Sequence, residues 1–260
     1  MIFIGERINT GFKDIKQAVM DKDPAPLQAW AKKQADAGAG YLDVNLGAVS
    51  ADPSDMCWMI ETVQDAVETP ICIDTNKPKI LAEAVKVCRP GALINSTTAA
   101  DEKLDVMMPI AAEHNASIIG LVMDEAGTPK NVDKRVENAG KILAKAMELG
   151  MLPDRVFLDP IVMPLKFMQD QAKDILEAVR QFLLFSDPPP NIVCGLSNIS
   201  TSTTHKNLIN RIFLVMAINN GMSAAICDVL DTELVNAALT AELVMNSEIY
   251  ADSYARKVRK

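Results

Sequence analysis

Aromatic residues make up only 5% of the 260 positions, and there are two histidines, His114 and His205. So few aromatics leave little to stack on sugar rings, which weakens a glycoside-hydrolase reading of the paired carboxylates. Two distant histidines are also too few for a histidine-rich metal site. The five cysteines, Cys57, Cys72, Cys88, Cys194 and Cys227, are odd in number, far apart and without a CxxC pair. They read as reduced core residues rather than a disulfide framework or a metal site. Basic residues form no block, and the net charge is -8 with a pI near 4.9. That balance argues against a nucleic-acid partner and against an anionic membrane surface. No apolar run approaches the ~20 residues of a membrane span, and MIFIGERIN lacks the longer apolar core of a signal peptide, so the expected location is the cytoplasm. No GxGxxG follows the first strand, and no GxxxxGK[ST] occurs, which removes the usual nucleotide-binding motifs.

What the sequence does contain is repetition of strand and helix. Apolar stretches at Ile2–Ile8, Tyr41–Leu46, Ile71–Asp74, Ala92–Ser96, Ser117–Met123, Val156–Pro160, Ile192–Leu196 and Ala224–Asp228 read as eight strands. Between them, apolar residues recur at helical spacing, as at Met56, Met59, Ile60 and Val63 or Leu208, Ile212, Val215 and Met216. Helices are also expected from about Met168 to Phe185 and from Thr232 to about Tyr250, the latter closing the chain. Hydrophobic residues supply 49% of the sequence, without composition breaks or a linker. Parallel strands joined by right-handed crossovers, in a chain of this length, predict a single (β/α)8 TIM barrel over residues 1–260; an open doubly wound sheet is the alternative.

In such a barrel the C-terminal ends of the strands converge on one mouth. Glu6, Asn9, Asp43, Asn45, Asp74, Asn95, Asp159, Asn198 and Asp228 then surround a common cavity. Buried without partners, such groups would each cost roughly 1–3 kcal/mol, so the cavity calls for a ligand rich in hydrogen-bond donors. Each has a plainer reading too, such as an N-cap for Asp74 or Asp228, or a loop-fixing role for Asn198. Gly195 and Ser197 stand beside Asn198, Gly195 leaving space for close approach and Ser197 offering a hydroxyl. No loop cysteine, Ser/His/Asp order, strand-closing lysine or His/carboxylate cluster is present, so the remaining chemistry is binding, positioning and polarisation.

The motifs GERIN at Gly5–Asn9, DVNLG at Asp43–Gly47, CIDT at Cys72–Thr75, INST at Ile94–Thr97, LDP at Leu158–Pro160, GLSNIS at Gly195–Ser200 and LINRIFLVMA at Leu208–Ala217 resemble the pterin-binding methyltransferases. The resemblance covers the whole chain in order, and within the family it points to the methyltetrahydrofolate:corrinoid protein methyltransferases. It implies methyl transfer between N5 of methyltetrahydrofolate and the cobalt of a corrinoid carried by a separate protein. It also implies that Asp74, Asn95 and Asp159 hold the pterin and that Asn198 hydrogen-bonds near N5, and it suggests a homodimer using the Leu208–Met216 region or the C-terminal helix. His205 could supply a proton but is expected at the surface; Lys206 is a candidate for the folate tail carboxylates or the partner's surface.

Two further readings stay open. Dihydropteroate synthase resembles the same barrel, but its glycine-rich run after strand six is replaced here by IVMPLK, and its arginine-histidine pair at strand eight by AICD. A non-catalytic folate-binding subunit of a corrinoid complex would bind pterin without turnover. There is no DxHxxG corrinoid motif, so the cobalt would arrive on another protein.

Overall fold

Eight short strands lie parallel in the order β7-β6-β5-β4-β3-β2-β1-β8. They are β1 (Ile2–Asn9), β2 (Tyr41–Asn45), β3 (Ile71–Asp74), β4 (Leu93–Thr98), β5 (Ser117–Leu121), β6 (Val156–Asp159), β7 (Asn191–Ile192) and β8 (Ala224–Cys227). A parallel bridge between Gly195 and Ile226 joins the remaining edges, with Ile226 N donating to Cys194 O at 2.9 Å, and this closes the expected barrel. The computed structural model describes residues 1–250, Tyr254 and Val258. Residues 251–253, 255–257 and 259–260 of the predicted domain lie outside the described residues.

Helices α1 (Lys13–Asp21), α2 (Pro24–Asp36), α3 (Pro53–Gln64), α4 (Pro78–Val87), α5 (Asp101–Glu113), α6 (Val132–Glu148), α7 (Gln171–Phe182), α8 (Lys206–Asn219) and α9 (Thr232–Val244) surround the sheet. Proline begins α2, α3 and α4, where its fixed φ suits the first turn and its missing N–H costs nothing. Asp23, Asp52, Asn131 and Asp231 cap α2, α3, α6 and α9 by accepting from the backbone amide two or three residues on.

Alternation along each strand divides the core. Ile4, Cys72, Leu93, Ile119, Phe157, Val193 and Ala224 fill the barrel interior, while their neighbours face the helices. The same alternation carries the interior face upward from Ile4 to Glu6, from Cys72 to Asp74, from Leu93 to Asn95 and from Phe157 to Asp159. The mouth is therefore polar where the barrel is apolar.

Several expected boundaries move. Strand seven shrinks to two residues, because Asn198 N bonds back to Gly195 O and Thr201 N to Asn198 O at 3.2 Å each, winding Leu196–Ser200 into a 3-10 turn. Leu196 is still buried there. The helix expected from Met168 starts at Gln171, since the amides of Phe167 and Met168 turn back onto Pro164 O. The last helix ends at Val244, well short of Tyr250: Asn246 adopts φ 58 and breaks the run.

Candidate active site

Strand register places Asn45, Asp74 and Asn95 side by side, since Asn45 is the partner of Asp74 and Asp74 the partner of Asn95. The amide of Asn45 donates to Asp74, and that of Asn95 donates diagonally downward to Asp43 Oδ1 at 3.1 Å. Asp43 sits one level lower, beside Cys72, and is 3% exposed. Each of these two carboxylates thus has an asparagine donor, as a buried carboxylate requires.

Above them opens a cavity of about 490 Å³ lined by Asn45, Asp74, Asn95, Ser96, Thr75 and Lys77, with Leu46, Ile80 and Leu121 as apolar wall. The volume suits a small heterocycle with a substituent. Thr75, Asn76, Lys77, Ser96 and Leu121 line the cavity in addition to the predicted site residues, and each lies within three residues of a predicted strand end.

Asp159 closes β6 one strand from Leu121, its register partner. Its Oδ1 accepts from Ile161 N at 2.8 Å, and the Gly195 amide also reaches its carboxylate. The Asn198 amide in turn lies against Gly195. Asp159, Gly195 and Asn198 consequently form a second group at the mouth. Behind it stands Arg135, fully buried, which donates from Nε to Pro160 O at 3.0 Å and from a terminal nitrogen to Gln171 Oε1 at 3.4 Å. It fixes the chain immediately after Asp159.

The remaining predicted residues separate by role. Ser197 donates to Glu6 Oε2 at 3.4 Å across the mouth. Asn9 follows an irregularity in β1 and accepts from Gly11 N at 2.8 Å, forming a turn. Asp228 is exposed and accepts from Leu230 N at 2.9 Å, while Asp231 caps α9 in its place. His205 and Lys206 are exposed at the start of α8 and are not among the residues that line the cavity.

Burial dominates the electrostatics. It raises Glu6, Asp43 and Asp74 above the ordinary carboxylate range; neighbouring negative charge adds to the rise at Glu6 and Asp43. Asp159 is pushed up to about 7, against the pull of the Ile161 and Gly195 amides. A ring offering several N–H donors would reverse these shifts by stabilising the ionised forms.

A parallel barrel whose mouth gathers carboxylates and amides defines a class, and comparison with known sequences agrees. The model of the pterin binding enzyme family matches residues 5–228, and the chain belongs to that family. It is 31% identical over 268 residues to a methylcorrinoid:tetrahydrofolate methyltransferase of Eubacterium limosum, covering 100% of this chain and 97% of the relative. It is also 25% identical over 240 residues to methionine synthase of Mycobacterium tuberculosis, covering 87% of the chain but 20% of that much longer protein. Among solved structures, dihydropteroate synthase from Thermus thermophilus superimposes with a TM-score of 0.66 at 18% identity, over 96% of this chain and 94% of that one. The Yersinia pestis enzyme gives the same TM-score at 12% identity, over 95% and 94%. These two likenesses speak to the fold alone.

Proposed function

We propose that the protein is a methyltransferase that moves a methyl group between the cobalt of a corrinoid carried by a partner protein and N5 of tetrahydrofolate. The observation that carries the reading is the pair of carboxylate-amide groups at one mouth, Asn45–Asp74–Asn95 and Asp159–Gly195–Asn198. The full-length likeness to the E. limosum methyltransferase supports it and favours transfer from methylcorrinoid to folate.

Asp74, Asn95 and Asp159 anchor the donor and acceptor edge of the pterin, and Asn198 hydrogen-bonds near N5. In that direction the N5 lone pair forms the new N–C bond, the cobalt–carbon pair stays on cobalt as Co(I), and N5 loses its proton. In reverse, the N–C pair returns to N5, and a proton must arrive because an amide anion is a poor leaving group. Asn198 polarises N5 in both directions without itself titrating.

The corrinoid protein must present its cobalt at the mouth. Exposed Phe167 and Met168 in the loop after β6, with Lys206 at the start of α8, offer it a mixed apolar and cationic surface. We assign the homodimer contact to the flank, where Leu208, Ile212 and Met216 leave an exposed stripe on α8 beside a groove of about 930 Å³ shared with α7 and α9. No described helix is long and apolar enough to cross a membrane, and a cytoplasmic location fits folate chemistry.

The test is the cobalt absorbance spectrum on mixing protein, tetrahydrofolate and methylated corrinoid protein, and the reverse with methyltetrahydrofolate and Co(I). Interconversion of methyl-Co(III) and Co(I) is the expected result. Pterin binding with no change at cobalt in either direction would reduce the protein to a folate-binding subunit.

A further inference from the structure

The cavity at the mouth changes character along its length. Its floor is the carboxylate-amide row Asn45, Asp74 and Asn95, its wall is Leu46, Ile80 and Leu121, and its outer lining includes Lys77. Lys77 is exposed and precedes α4. Beside it, Lys103 reaches over from α5, its Nζ 3.5 Å from the carbonyl oxygen of Asn76. The Lys103 ammonium is thus held against the loop that carries Lys77, one residue away from it, in a chain of net charge -8. Among the described residues, lysines Lys22, Lys86, Lys134, Lys141 and Lys145 are ion-paired, but no such pair engages Lys77 or Lys103. Asp101, the first residue of α5, is paired with Lys141 at 2.8 Å.

A ligand matched to this sequence of surfaces has a donor-rich head, a flat apolar middle and an anionic end. We infer that Lys77 and Lys103 bind the glutamyl carboxylates of the folate tail, with the benzoyl ring against Ile80 and Leu121, and that the protein selects folates carrying more than one glutamate. The inference rests on the folate reading above and deepens it. It also moves the tail away from Lys206, which starts the helix after β7, whereas Lys77 and Lys103 follow β3 and β4 across the sheet order. Each additional glutamate brings another carboxylate to a partly exposed cationic rim. Such pairs contribute modestly, about three- to fivefold in affinity for each, and weaken with salt.

The experiment is a titration of the full chain with three probes: a tail-less tetrahydropterin, tetrahydrofolate monoglutamate and tetrahydrofolate triglutamate, followed by ligand fluorescence and calorimetry. Wild type is expected to bind them with increasing affinity in that order. In Lys77→Ala, Lys103→Ala and the double variant, the gain from the tail should fall toward onefold, and in Lys103→Ala, which lies outside the cavity lining, the tail-less pterin should bind within about twofold of wild type. Lys206→Ala should keep the gain. If wild type binds all three equally, or the lysine variants retain the full preference for triglutamate, the inference is overturned while the pterin site stands. If no pterin binds, the folate reading fails and this inference with it.

Discussion

The side-chain nitrogen of Asn198 lies over the α-carbon of Gly195, so close that a β-carbon on residue 195 would stand 2.9 Å from it. Glycine is required there by approach rather than by a left-handed backbone, since its φ is -71. The displaced atom would be the end of a movable side chain, so Gly195→Ala should fold with a melting temperature within a few degrees of wild type. Methyl transfer should nevertheless slow by at least tenfold as Asn198 is pushed aside, and Asn198→Ala should slow it by about 10²–10³, the usual cost of losing one positioned donor. Stopped-flow cobalt absorbance measures both, and unchanged rates in the two variants would remove Asn198 from the chemistry.

Asp159 makes the site sensitive to pH. Its pKa in the folded chain, about 7, lies above the unfolded value near 4, so the folded state holds the extra proton between these limits. Stability of the free protein should therefore fall as pH rises through that window, by up to about 1.4 kcal/mol per pH unit from this group, and Asp159→Asn should flatten the dependence. Urea unfolding at pH 5, 6, 7 and 8 gives the slope. Because pterin donors favour the ionised carboxylate, folate binding should release protons at pH 6 to 7, detectable by calorimetry in buffers of different ionisation enthalpy. Proton uptake on binding would contradict the assignment.

Leu208, Ile212 and Met216 fall four residues apart on α8, each about half exposed. If that stripe joins two subunits, Ile212→Glu should convert the dimer to monomer in analytical ultracentrifugation by placing charge in an apolar contact. Wild type sedimenting as a monomer at micromolar concentration would refute the dimer, and a dimeric Ile212→Glu would move the interface elsewhere.

The barrel could be read from the sequence because strand and helix periodicities are local. Alternation in Tyr41–Asn45 separates Asp43 and Asn45 from Leu42 and Val44, and that separation holds in the fold. The boundaries that moved were decided by competing local bonds: the turn at Pro164, the left-handed Asn246, and the 3-10 turn that shortened strand seven. Lys77 and Lys103 are not legible as a pair in the sequence because they are 26 positions apart, and Lys103 reaches the loop that carries Lys77 only where α5 approaches it in the fold.

The sequence by itself determined that eight strand ends would converge and that polar side chains would close them, since both follow from alternation and the handedness of crossovers. Only the tertiary structure decided which of those side chains act together. Register set Asn45, Asp74 and Asn95 on one level and sank Asp43 below them, while Asn9 and Asp228 were drawn into turns of their own. Register and burial depend on how strands distant in sequence twist and pack against one another. The raised pKa of Asp159 depends on them too, because the desolvation that raises it is supplied by neighbours the chain brings together only on folding.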